Sequence, residues 1–130
     1  MVTRANTKLR VPPVSPPALL LRLEAAVVLL ASLGLYALSG GNWGRFLLLF
    51  LLPDLTFAGY LLGKRWGGLI YNLAHSYALP VALGAAALIG GWMPGVSLAL
   101  IWSAHIAMDR LLGYGLKYPS GFMDTHLGRV

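Results

Sequence analysis

The sequence predicts an all-α integral membrane protein: an antiparallel four-helix bundle with both termini cytoplasmic. Three observations carry this reading. The 130 residues are 58% hydrophobic and only 11% charged, whereas a soluble domain carries about a quarter charged residues. The apolar residues fall into four blocks, 18–38, 46–62, 69–89 and 95–112, each close to the roughly 20 residues that cross a bilayer. Of the ten Lys and Arg residues, only Arg45 falls on the face opposite the others once the blocks are threaded back and forth. Lys and Arg gather in cytoplasmic loops, so both ends belong in the cytoplasm and the location is a bacterial inner membrane. A soluble all-α core is excluded by the same numbers, since a chain this small has too little charge to cover one.

The elements follow in order. Residues 1–17 form an arm with Arg4, Lys8 and Arg10 followed by VPPVSPP. Proline and charge make it an extended, disordered segment. A basic start before an apolar run also has the outline of a secretory signal. Arg22 and Glu24 interrupt that run, however, and more apolar spans follow, so the first span is expected to be retained. The connections 39–45, 63–68 and 90–94 are short and rich in Gly, which makes neighbouring helices antiparallel. Trp43, Trp66 and Trp92 fall at these three turns, where an interfacial indole belongs. Pro53 and Pro80 lie inside the second and third spans, and each removes a backbone hydrogen bond and predicts a kink. Ala74, Ala78, Ala82, Ala86 and Gly90 make a small-residue stripe on the third span, and Gly59 and Gly63 a shorter one on the second. Such stripes let helix backbones approach closely, within the chain or across a homo-oligomer or partner-subunit contact. The net charge of +6 is accounted for by topology, so no nucleic-acid partner is expected, and the bilayer is the first partner. With no Cys, disulfides and thiolate metal ligands are excluded.

Every span carries an ionisable residue: Glu24, Asp54, His75, and His105 with Asp109. Each charge at bilayer depth costs roughly 2.5–3.5 kcal/mol, so four spans that accept it point to a shared interior site. A rise of about 1.5 Å per residue puts Glu24, Asp54, His75 and His105 some 9–12 Å from the cytoplasmic ends, with Asp109 about 5 Å in. All five share one layer. His105 and Asp109 stand one turn apart on one helix face. Asn72 and Ser76 share a face with His75 and are placed to hold its tautomer. Two His and three carboxylates suit Fe, Mn or Zn, with Glu24, Asp54 and Asp109 as catalytic candidates, one of them acting as base on a bound water. The E-x-x-H pair of di-metal bundles is absent. Other readings stay open. Glu24 can pair with Arg22, Asp109 can pair with Arg110, and each His can bond between helices. Two His on separate helices also allow axial ligation of a b-type haem, although haem needs no carboxylate layer. An acid–His chain can carry protons. In a non-catalytic accessory subunit these groups would be glue to a larger complex.

The C-terminal region, residues 113–130, continues the fourth span into Gly113, Gly115, Pro119 and Gly121, then Asp124 and His126. It is a cytoplasmic tail able to fold back over the polar layer as a lid. The run His105 to Pro119, H-x-x-x-D-R-x-x-G-Y-G-L-K-Y-P, with Asp124 to Gly128, D-T-H-L-G, resembles a bacterial membrane family known as domain of unknown function 4260. Pro53–Asp54 and Tyr71–His75, Y-N-x-x-H, add shorter matches. The resemblance runs from about the first span onward and implies a four-helix membrane protein. It implies no activity, so function has to be argued from the polar layer.

Overall fold

The computed structural model describes residues 15–118 and 125–129. The basic arm up to residue 14 and the tail positions Pro119, Gly121 and Asp124 lie outside these. The described residues build α1 (Pro16–Leu38), α2 (Trp43–Phe50), a 3₁₀ segment (Leu52–Leu62), α3 (Lys64–Ala74), α4 (Ala78–Ile89), α5 (Met93–Leu112) and a short α6 (His126–Arg129). Joined end to end, α2 with the 3₁₀ segment and α3 with α4 give four helices long and apolar enough to cross a membrane: Pro16–Leu38, Trp43–Leu62, Lys64–Ile89 and Met93–Leu112.

Local chemistry sets the ends. Ser15 caps α1 by accepting from the Ala18 N–H at 3.3 Å, and Pro16 occupies the first turn, where its missing N–H costs nothing. Asn42 caps α2 from its side chain to the Arg45 N–H at 2.9 Å. Helix therefore starts at Trp43, ahead of the apolar run that hydropathy marks. Gly63, at φ +107, is the single residue between the second and third spans. Gly113, at φ +94, ends α5 in the left-handed conformation that Gly adopts without strain.

Both prolines break their spans. Beside Pro53 the backbone tightens, with the Asp54 N–H reaching back three residues to the Leu51 carbonyl at 3.1 Å. The Thr56 hydroxyl donates to the Pro53 carbonyl at 2.6 Å, a local bond that competes with the helical ladder. A 3₁₀ helix rises about 2.0 Å per residue, so the second span reaches roughly 34 Å with few residues. Pro80 acts one turn upstream, because its ring clashes with the carbonyl four residues back. The helix stops at Ala74, runs irregularly through His75–Tyr77 and restarts at Ala78. In hydrocarbon, carbonyls freed by such a break need new donors. The Trp102 indole N–H donates to the Ala74 carbonyl at 2.6 Å, and an Arg110 N–H donates to the His75 carbonyl at 3.4 Å.

α5 is the central element, packing against α1, α2 and α4, while α3 packs on the 3₁₀ segment. The core joins Leu29 and Tyr36 of α1, Phe46 of α2 and Ile101, Ala104 and Ala107 of α5. The small α5 residues let α1 lie close. Leu30, Leu48, Leu61, Leu88 and Ile89 are exposed, giving an apolar outer surface suited to lipid. The small-residue stripe does not serve packing within the chain beyond Ala74. Ala78, Ala82, Ala86 and Gly90 are exposed, and α4 turns Pro80 and Ala87 inward instead, with Gly84 against Ala99. Pro80 dictates this, since the restart of the helix after the break resets which face points inward.

Trp102 is the tie that holds the break beside α5. Trp102→Phe keeps the ring bulk and removes the donor, so we expect a loss of about 0.5–2 kcal/mol in stability, read as a lower unfolding midpoint in detergent, with span content unchanged by circular dichroism.

Candidate metal centre

Four of the five ionisable residues meet. Asp54 comes from the start of the 3₁₀ segment, His75 from the break after α3, and His105 and Asp109 from successive turns of α5. The two interruptions are what turn Asp54 and His75 inward: each stands where the backbone leaves α geometry. His105 Nε2 lies 3.2 Å from Asp54 Oδ1, 3.3 Å from Asp109 Oδ2 and 3.3 Å from His75 Nε2. His75 Nε2 lies 3.5 Å from each of the same two oxygens. One atom from each residue falls within 4.8 Å of every other.

The imidazoles are buried and the carboxylates form the rim, with side chains 41% exposed at Asp54 and 22% at Asp109. Aromatic rings wall the histidines. Tyr71 stacks on His75 at 3.7 Å between centroids, Phe57 stacks on Tyr71, and Phe50 meets His105 edge-on at 5.1 Å. His75 Nδ1 donates to the Tyr71 carbonyl at 2.9 Å. A carbonyl can only accept, so a neutral His75 has its lone pair on Nε2, facing the cluster. The tautomer is thus set by the backbone rather than by Asn72 or Ser76, as the sequence had led us to expect. Asn72 is engaged elsewhere.

Such a set can do two things chemically. Five of the six edges between the ligand atoms measure 3.2–3.5 Å. A tetrahedral ion with bonds of about 2.0–2.1 Å has edges of roughly 3.3–3.4 Å, so two nitrogens and two oxygens are spaced to hold one. Alternatively a proton on His105 Nε2 can bind the cluster through hydrogen bonds to the carboxylates. The arrangement does not suit haem. Two axial nitrogens need about 4 Å between them in line across an iron, more than the 3.3 Å here, which suits adjacent corners of a tetrahedron instead.

Glu24 is not brought to this point. It lies on the exposed flank of α1, beside the buried Ala25, and lines a separate cavity of about 490 Å³ with Tyr77 and Arg110. Depth placed it in the right layer, but α1 packs on a different face of α5. Neither expected pairing of the acids describes the contacts: Asp109 turns to the histidines, and Arg110 turns to the His75 carbonyl and the Tyr77 ring, 5.0 Å away. Sequence reasoning also missed Tyr71, Phe57 and Trp102 as supports. For Tyr71 the signal was there: it stands one helical turn before His75 in Y-N-x-x-H.

The tail packs on α3. Asn72 pairs with the backbone of Lys117 in both directions, each bond 2.6 Å, as a strand would. Lys117 is buried with its ammonium 4.6 Å from the Tyr71 ring centre. Burial pushes that ammonium below its ordinary value, and the Asp109 carboxylate pulls it partly back. Lys117 also bridges to Thr125, and Leu116 exchanges bonds with His126: the Leu116 N–H donates to His126 Nδ1 at 2.7 Å, and the His126 N–H to the Leu116 carbonyl at 2.9 Å.

The chain belongs to the family described as Domain of unknown function (DUF4260), whose model matches residues 18–130. No curated protein and no solved structure matches it.

His126 makes tail docking pH-dependent. Its pKa is lowered, first by burial and then by the Arg110 charge, and Nδ1 must be unprotonated to accept from Leu116. The unfolded tail therefore binds more protons as pH falls below about 6.5. We expect the tail to be protected from proteolysis above that pH and progressively exposed below it, and His126→Gln to flatten the profile.

Proposed function

We propose that this is a multi-pass protein of the bacterial inner membrane, an antiparallel bundle of four spans with both ends cytoplasmic, whose cytoplasmic half holds one divalent first-row metal ion on His75, His105, Asp54 and Asp109. The supporting observation is the set of short edges among these four atoms, together with the Tyr71 carbonyl that turns the His75 lone pair toward them. Imidazole and carboxylate donors without thiolate favour Zn, Fe or Mn. Two carboxylates and two neutral imidazoles cancel the charge of a divalent ion, which removes the cost of isolated charges at membrane depth.

The rim position of Asp54 suits an enzyme better than a purely structural ion. Were an ion bound, Asp54, a ligand that is also partly exposed, would be placed to accept a proton from a water that the ion acidifies. Lys117, carried by the tail and close enough to Asp109 to feel its charge, offers an acid beside the cluster. In this reading the tail is a lid, and it is held shut by Asn72, Leu116 and His126. Four of the five groups converge, as a shared site requires, while Glu24 on the exposed flank of α1 is what an accessory subunit would also show. The exposed Ala78–Ala82–Ala86–Gly90 stripe is still a place where a second copy or another helix would pack.

A hydrogen-bonded, metal-free cluster is the second reading. In it, a proton on His105 Nε2 donates to the Asp54 and Asp109 carboxylates. Metal analysis separates the two. On protein purified without chelators we expect about one ion per chain. His105→Ala and Asp54→Asn should lower affinity by more than the roughly 10–100-fold typical of losing a supporting contact, and Glu24→Gln should leave stoichiometry unchanged. Metal absent after supply of Zn, Fe and Mn in turn, or equal loss in Glu24→Gln, would contradict the assignment.

A further inference from the structure

Glu24 stands apart from the four-residue cluster and has no counter-charge within the described chain. It lies about two turns into α1, on an exposed face. Among the described residues it makes no ion pair or hydrogen bond. Arg22, the neighbour best placed in sequence to neutralise it, turns instead to the end of α5, where its guanidinium covers Gly113. An unpaired carboxylate on a membrane-embedded helix is costly, so Glu24 calls for a cation from outside the chain.

Glu24 lines a cavity of about 490 Å³ on the flank of the bundle, between α1, the break after α3 and the last turn of α5. That volume lies in the ordinary range of ligand sites. Two hydrogen-bond donors line the same cavity. The Tyr77 hydroxyl, from the break, is buried and has no hydrogen-bond partner, a state that buried polar groups seldom keep without a ligand or water. The Arg110 guanidinium lies over the Tyr77 ring and spends one N–H on the His75 carbonyl, which leaves most of its five donors unspent. No ion pair joins Arg110 to Glu24. The cavity thus offers donors for an anion and an acceptor for a cation, and a zwitterion answers both.

The other walls decide how that zwitterion is carried. Leu21, Val27 and Val28 are apolar. Val27 is exposed and continues into the exposed Leu23 and Leu30 of the same helix, so the cavity borders the apolar outer surface. Arg110, in the last turn of α5, stands where a phosphate at the membrane boundary would meet it.

We propose that this cavity binds an aminophospholipid, with its phosphate on Arg110 and the Tyr77 hydroxyl and its ammonium on Glu24. A guanidinium suits phosphate because its planar fork gives paired donors. The assignment rests on the membrane reading and not on the metal reading, since none of the three residues is among the four that would hold the ion.

Native mass spectrometry of the full chain in detergent provides the test. Delipidated protein is titrated with dioleoyl phosphatidylethanolamine and with the phosphatidylglycerol of the same chains, with free phosphoethanolamine as competitor. We expect one phosphatidylethanolamine per chain, bound about tenfold tighter than phosphatidylglycerol, which has the phosphate and lacks the ammonium. Glu24→Gln should bring the two lipids to equal affinity. Tyr77→Phe removes a hydroxyl that holds nothing within the protein, so it should fold normally by circular dichroism, weaken both lipids severalfold and keep their ratio. Wild-type protein that binds both lipids equally, or a preference that survives Glu24→Gln, would overturn the proposal. Displacement of the lipid by free phosphoethanolamine at similar concentration would assign the site to a dissolved zwitterion and overturn the lipid. Protein that stays monodisperse after detergent is removed would instead remove the membrane reading beneath the proposal.

Discussion

Two carboxylate oxygens and two imidazole nitrogens within 4.8 Å of one another, in a chain with an apolar exterior, have to be offset by a bound cation or by protons. Much of the chain is arranged around that requirement. Asp54 and His75 cannot reach the point from unbroken α-helices as this chain places them. They stand at the two sites where proline stops the regular ladder, and at the second of them the Ala74 and His75 carbonyls are satisfied by Trp102 and Arg110. The last turn of α3, just before the break, supplies the Tyr71 carbonyl that fixes the His75 tautomer. α5 contributes the fixed side of the site, with His105 and Asp109 one turn apart on a helix buttressed by α1, α2 and α4.

The surroundings extend the same logic outward. Phe50, Phe57 and Tyr71 keep water and lipid from the imidazoles, while the two carboxylates form the rim. The tail packs Lys117 and His126 against α3 and its own backbone.

How much of this was legible in the sequence depended on which coordinate was asked for. Level along the bundle was legible, because rise per residue converts sequence number to height, and that reckoning put Glu24, Asp54, His75, His105 and Asp109 in one layer, four of which meet. Rotation about the helix axis was not. Glu24 has the right depth and the wrong face, since nothing in α1 fixes which side of α5 it packs on until Ala25, Leu29 and Tyr36 are seen to be buried. The prolines announced kinks but not their form: Pro53 gives a long 3₁₀ segment, and Pro80 a break three residues long. The tail contacts were hidden because Asn72 and Lys117 are 45 residues apart and the Asn72 amide pairs with the Lys117 backbone, which carries no side-chain signature.

The most direct test of the central claim is X-ray absorption at the metal edge on the purified, metal-loaded protein. The account predicts a first shell of nitrogen and oxygen at about 2.0–2.1 Å, with the outer-shell scattering of two imidazoles, falling to one in His75→Ala. A shell of oxygens with no imidazole signature, or two imidazoles that persist in His75→Ala, would place the ion elsewhere and contradict it.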